Sequence, residues 1–136
     1  MKLSDFGFDS WFEAHAAPWC AEGCGCARVS AVDRGSYLIR SESGEVPAGL
    51  SGKLAHQIHS PVDLPCVGDW VTARYHNHDA AAIIHQVLPR KTFLRRKTPG
   101  RNVDFQMIAA NIDAAFIVQS CHFDFNPSRL DRYLIM

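Results

Sequence analysis

The sequence predicts a mainly β protein centred on a small five-stranded barrel, with a short helical segment before it and the first strand and helix of an α/β unit after it. Three observations carry this reading. Over residues 26–88 five short stretches alternate apolar and polar residues, each bounded by Gly, Pro, Asn, Asp or Ser. The connection between the third and fourth stretches is much longer than the others. Beyond residue 103 the period changes, to a nearly continuous apolar run and then an amphipathic one.

Taken in order, residues 4–19 (SDFGFDSWFEAHAAPW) set Phe8, Trp11, Phe12 and His15 at helical spacing, with Asp9 or Ser10 as cap and Pro18 as stop. CARVSAV (26–32) is the first strand, DRGS a turn, YLIRSE (37–42) the second strand, and EVPAGL (45–50) the third, whose Pro47 marks an edge or a bulge. The long connection has room for one or two helical turns around residues 54–58. DWVTARY (69–75) and AAIIHQVL (81–88) are the fourth and fifth strands; TFLRRK either extends the sheet or leaves it. Five strands with the long link between the third and fourth outline an OB-fold, a small Greek-key barrel. FQMIAANIDAAFIVQ reads as a helix-prone piece followed by the apolar run 114–118, typical of a strand covered on both faces. Asn126 and Pro127 then open a helix with Leu130, Tyr133 and Leu134 along one stripe.

The 136 residues carry no net charge, but the charge is segregated. Residues 1–79 hold six Lys/Arg and ten Asp/Glu; residues 80–103 hold six and none; residues 104–136 hold two and four. The basic strip is PRKTFLRRKTPGR, residues 89–101, and no acid occurs between Asp79 and Asp104. Local charge of this kind steers a phosphate backbone to one face of an otherwise neutral protein. Its plainer reading is a solvated hinge between two domains. No apolar run approaches the roughly 18 residues that span a bilayer, and Asp5, Asp9 and Glu13 are unlike a signal peptide. The expectation is a cytoplasmic protein with no membrane partner.

Candidate sites follow from residue type and spacing. On an OB barrel nucleic acid lies over the second and third strands and the flanking loops. Arg34, Arg40, Lys53, Arg90, Lys91, Arg95, Arg96, Lys97 and Arg101 are therefore the candidate RNA-binding residues. Tyr37, Trp70 and Tyr75 are the aromatics available for stacking, although an alternating strand makes Trp70 a core residue first. Cys20, Cys24 and Cys26, with His15, offer four soft ligands to zinc, yet C-x3-C-x-C matches no usual zinc knuckle, and Gly23 and Gly25 equally suit a turn. Five unevenly spread cysteines do not form a disulfide framework. GLSGKL (49–54) lacks both the earlier Gly and the Ser or Thr of a phosphate-binding loop, having Pro47 and Leu54 at those places. The pairs His56/His59 and His76/His78 lack a third ligand at a recognisable offset, and Cys121 and His122 point apart in an extended chain. No nucleophile, acid/base pair or cofactor motif is recognisable.

VDRGSY, LSGKL, PCVGDWV, VLPRKTFLRRK, AANIDAAFIV and DFNPSRLDRYL occur in that order over nearly all of the chain. This set resembles the bacterial ribosome small-subunit-dependent GTPase A family (RsgA, also called YjeQ). The resemblance implies an N-terminal OB-fold, a circularly permuted GTPase domain and a C-terminal zinc-binding helical domain. It implies GTPase chemistry with GTP and Mg²⁺, one Zn²⁺, and a role in late maturation of the small (30S) ribosomal subunit, with hydrolysis stimulated by that subunit. All nucleotide, magnesium and zinc residues would then follow residue 136, and this part alone would be inactive. The implied partners are the small subunit, its rRNA and the GTPase domain in cis. The implied boundaries are 1–25 for the helical segment, 26–98 for the OB-fold RNA-binding domain, 99–111 for a linker and 112–136 for the start of the GTPase domain. An alternative from another class makes the barrel a protein-docking or interdomain module without RNA contact. Where the family carries apolar or Pro-Gly residues before the first strand, this chain has CGC.

Overall fold

The computed structural model describes residues 1–76, 78–98 and 105–134. A helix, α1 (Ser10–Ala21), precedes a closed barrel. Strand β1 (Gly25–Asp33) is joined to β2 (Ser36–Ser41) by Arg34 and Gly35, both at positive φ, 47° and 83°. That two-residue turn matches the right-handed twist of the strands it joins. β3 (Gly44–Leu50) follows, then a short helix, α2 (Gly52–Gln57). Ser51 caps α2 by accepting from the Leu54 amide at 3.1 Å. β4 (Trp70–His76) and β5 (Ala81–Val87) complete the barrel, whose order is β1-β2-β3-β5-β4. Every pairing is antiparallel except β3 with β5, which is parallel over Ala48, Gly49 and Leu50. This is the OB-fold topology that the long third-to-fourth connection predicts. Pro47 lies on β3 outside that three-residue parallel pairing, where its missing N–H interrupts no ladder with β5.

Alternation along the strands sorts the side chains. Ala27, Val29, Tyr37, Ile39, Ala48, Val71, Ala73, Ala82 and Ile84 fill the barrel, and Leu54 of α2 is buried with them. A one-residue bulge on β1 between Val29 and Ala31 ends the inward run, and Ala31 and Val32 are exposed. Trp70, next to the inward-facing Val71, joins a second cluster with Phe12, Ala16 and Leu88. Phe8 meets the Trp70 ring edge-on at 4.7 Å and Phe12 lies 5.8 Å from it. Full burial of a Phe side chain is worth about 1.5–3 kcal/mol, so α1 is held chiefly by this cluster. Trp70 is thus core, not a stacking platform.

α1 begins where the sequence predicts, with Asp9 accepting from the amides of Trp11 (3.1 Å) and Phe12 (3.3 Å). It does not stop at Pro18, which lies inside the helix. The proline removes one i→i−4 bond. Phe12 and Ala16 already anchor the helix, and the turn beyond is tied by the Glu22 and Cys24 amides to the Trp19 carbonyl and by the Gly23 amide to that of Cys20.

A second correction concerns FQMIAA, the partner of the strip. TFLRRK leaves the barrel: β6 (Phe93–Lys97) pairs antiparallel with β7 (Phe105–Ala110) as a separate two-stranded sheet. FQMIAA is therefore a strand and not helix-prone, because β6 supplies a ladder that local propensity cannot see. The apolar run 114–118 is not a strand. Phe116 and Val118 are 92% and 90% exposed, and among the described residues no strand pairs with them. The final helix, α3 (Pro127–Leu134), opens as expected, with the Asn126 side chain accepting from the Arg129 amide at 3.1 Å.

Candidate nucleic-acid interface

The basic strip divides into two parts with different partners. Arg90 is turned inward. Its Nε donates to Asp69 Oδ1 at 2.8 Å and one terminal nitrogen to Asp69 Oδ2 at 2.7 Å, a bidentate pair with a carboxylate that is fully buried. Its terminal nitrogens also meet the carbonyls of Val62 (2.6 Å) and Leu64 (2.8 Å). The bond to Asp69 holds the guanidinium above its usual pKa. Lys91 turns to α1, where Nζ pairs with Asp9 and lies 4.8 Å from the centre of the Phe12 ring. Both cations are consumed by the fold.

Arg95, Arg96 and Lys97 are exposed on β6. Arg95 lies over the rings of Phe105 (4.3 Å) and Phe93 (5.6 Å), a cation–π arrangement that steadies the side chain without neutralising it. Arg96 donates to Gln106 Oε1 at 3.1 and 3.3 Å, again a neutral partner. Phe93 and Arg95 line a cleft of about 420 Å³ with Leu54 and Gln57 of α2, next to Lys53. Gln106 lines a second hollow with Val32 and Gly35, so the β1–β2 turn that carries Arg34 lies on the hairpin's other side. Arg34 and Lys53 are exposed. Arg40 sits apart on β2, 3.8 Å from Glu45 and 5.2 Å from the centre of the Phe6 ring. Arg101 lies outside the described residues. Arg95, Arg96 and Lys97 thus stand exposed on the hairpin; Arg90 shares a cleft with Arg95 but spends its donors on Asp69 and two carbonyls, and Lys91 and Arg40 pair with acids elsewhere.

Three polar residues outside the predicted set, with one glycine, fasten this hairpin to the barrel. Arg28, on the outer face of β1, donates to the carbonyls of Gly68 (3.2 Å), Asn111 (2.7 Å) and Phe6. Burial lowers its pKa. Asn111, at φ 53°, donates to the Gly68 carbonyl at 3.1 Å and accepts from the Lys91 amide at 2.8 Å. Asp69, besides Arg90, accepts from the Cys66 amide at 2.8 Å. Gly68, at φ +90°, lies so close to β7 that a Cβ would stand 2.0 Å from the Ala110 carbonyl oxygen. The signal was present in PCVGDWV and AANID as a Gly-Asp and an Asn next to apolar runs, but neither motif says that the two meet.

The zinc set is not assembled. Cys20 and Cys26 approach within 3.5 Å, but Cys24 is buried and the His15 ring bonds the Trp11 carbonyl at 2.7 Å. Among the described residues no three His, Cys, Asp or Glu side chains are placed to hold a metal. No helix among them is long and apolar enough to cross a membrane.

The family model for the RsgA GTPase matches residues 87–136, from the end of β5 through the hairpin to the C-terminal helix. Proteins named small ribosomal subunit biogenesis GTPase RsgA align with nearly the whole chain. That of Opitutus terrae is 34% identical over 98% of this chain and 39% of its own length. That of Syntrophotalea carbinolica is 34% identical over 100% and 39%, and RsgA 1 of Listeria innocua is 40% identical over 98% and 36%. The chain belongs to the RsgA family. It spans about two-fifths of the length of these RsgA relatives. In this structure PCVGD supplies Gly68 and Asp69, LPRK supplies Arg90 and Lys91, and AANID supplies Asn111 to the seam between barrel and hairpin.

Proposed function

We propose that this chain is the RNA-docking part of a cytoplasmic GTPase that acts in late biogenesis of the small ribosomal subunit. The observation that carries the proposal is the three exposed cations of the hairpin: among the described residues no carboxylate pairs with Arg95, Arg96 or Lys97. Arg34 and Lys53 are exposed on the barrel. Cations without local counterions attract a phosphate backbone, and each phosphate neutralised releases counterions. The relatives' names support a function directed at the small ribosomal subunit, and its rRNA is the phosphate backbone that this reading assigns to the cations.

Nucleotide chemistry is assigned to none of the residues described above. GLSGKL does not fit a triphosphate: Pro47 stands where the first glycine of such a loop is needed, and Leu54, which stands where a magnesium-binding hydroxyl is needed, is buried in the barrel. GTP, Mg²⁺ and Zn²⁺ would be held by residues after position 136. The hairpin, fastened to the barrel through Arg28, Asn111 and Gly68, then lies between RNA and nucleotide site and can pass subunit binding to GTP hydrolysis.

A second reading, the interdomain module, has its own support in the exposed apolar residues Phe116, Val118 and Phe123, which a neighbouring domain would cover. The test is binding of the protein to purified small subunits as a function of salt. RNA docking gives affinity that falls steeply with salt and protection of rRNA from footprinting reagents. Absence of protection by this part, with tight binding to the separate GTPase domain, decides for the second reading.

A further inference from the structure

The end of α1 and the start of β1 bring two thiols together, Cys26 packed against the Phe12 and Trp70 cluster and Cys20 outside it, and the proposed docking uses neither. Cys20 is exposed on the last turn of α1, and Cys26 is partly buried on β1. Their sulfurs are 3.5 Å apart, about 1.5 Å more than the ~2.05 Å of a disulfide bond. The approach is set by backbone fixed at both ends. On the α1 side, three amide-to-carbonyl bonds tie residues 22–24 to Trp19 and Cys20. On the β1 side, Cys26 is paired with Thr72 of β4, and a Cβ on Gly25 would come within 3.0 Å of the Tyr75 ring, which holds the strand close under that ring. Gly23, at φ +83°, makes the reversal between them. The third thiol, Cys24, is buried.

We infer that Cys20 and Cys26 are a modification site: under a hydroperoxide they form a reversible disulfide that staples the end of α1 to the barrel. Cys20, ionised to the thiolate, attacks an oxygen of hydrogen peroxide, the O–O bond breaks, and Cys20 sulfenic acid and hydroxide result; the hydroxide takes up the proton that the thiol released and becomes water. The Cys26 sulfur then attacks the Cys20 sulfur. The S–S bond forms as S–O breaks, and the departing hydroxide takes the Cys26 proton as a second water. Two thiols lose two electrons and one peroxide gains them. The two roles are unequal because burial, reinforced by Cys20 alongside, pushes the Cys26 thiol up to about 12. Cys26 therefore keeps its proton until the sulfenic acid is in place, and the oxidant meets Cys20 first. The staple would fix the helix that covers Trp70 and whose cap pairs with Lys91.

Mild hydrogen peroxide treatment of the purified, reduced protein tests this. Cleavage after Glu22 separates Cys20 from Cys24 and Cys26. The expected result is that the two fragments stay joined after oxidation, with two hydrogens lost, and part again under dithiothreitol. Cys24→Ser leaves the link intact, whereas Cys20→Ser and Cys26→Ser each abolish it. Oxidation of Cys20 to sulfinic acid with Cys26 still free, or a link that survives Cys26→Ser and disappears in Cys24→Ser, overturns the inference. So does oxidation that yields only dimers joined through Cys121. Cys20 is exposed, so its serine variant keeps the fold, which circular dichroism checks beside each digest.

Discussion

Arg90 and Arg95 lie five residues apart in one basic strip, and the fold treats them oppositely. Arg90 is drawn into the seam, with its donors satisfied by Asp69 and two carbonyls. Arg95 stands on the hairpin over two aromatic rings, with no carboxylate paired to it among the described residues. The same split separates Lys91, paired with Asp9, from Arg96, which meets a neutral glutamine. A run of positive charge is therefore not one site. What divides it is where acids from distant parts of the chain arrive: Asp69 and Asp9 lie 21 and 82 residues before their partners.

The largest effect of this division belongs to the buried pair. Arg90→Ala leaves the Asp69 carboxylate buried without its cation, and removing one partner of such a pair costs about 3–5 kcal/mol. Urea unfolding of Arg90→Ala beside Arg95→Ala measures it. The midpoint should fall far for the first and change within about 0.5 kcal/mol for the second, as for exposed positions generally. Similar losses for both would erase the distinction.

A smaller loss is expected at the hinge of the seam. Gly68→Ala places a methyl group against the Ala110 carbonyl and imposes a left-handed conformation on alanine. Backbone strain of this kind costs about 1–3 kcal/mol, and the hairpin must also move. Hydrogen exchange should show β7 amides losing protection while β2 and β3 keep theirs. Uniform loss across both sheets would mean that the hairpin and barrel unfold as one unit.

The smallest effect belongs to Asp9. Its hydrogen bond with Lys91, more than the cap bonds to Phe12 and Trp11, holds its carboxyl below the ordinary 3.8. A carboxyl with a lowered folded value contributes stability that is complete above the ordinary pKa and is lost as pH falls through the folded one. Thermal midpoints of the wild type should therefore drop slightly faster below pH 3.8 than those of Asp9→Asn. Parallel curves for the two proteins would mean that the Asp9–Lys91 pair contributes nothing.

These contrasts explain what the sequence made legible. The five barrel strands lie within a residue or so of where alternation put them, because each inward position of a small closed barrel must be apolar. Capping by Asp9 and Asn126 is equally local chemistry. Where expectation and structure part, the deciding partner is remote. FQMIAA is a strand because β6 offers it a ladder, and α1 continues past Pro18 because Phe12 and Ala16 are docked on Trp70. The cations of the candidate site were all visible as residues, but their division was not. Arg28, Asp69 and Asn111 form no pattern in the sequence, since each acts on groups brought in by other elements or turns.

On the proposed reading Arg95, Arg96 and Lys97 meet RNA, whereas Arg90 and Lys91 serve the fold. Titration of small subunits with wild-type protein and with the triple Arg95→Ala, Arg96→Ala, Lys97→Ala variant, over a series of salt concentrations, separates the two roles. Each phosphate that the variant no longer neutralises reduces the slope of log affinity against log salt by about 0.7–0.9. The expected result is a slope shallower by about 2 or more, weaker binding at low salt and an unchanged unfolding midpoint. An unchanged slope, with the variant still folded, would contradict the assignment.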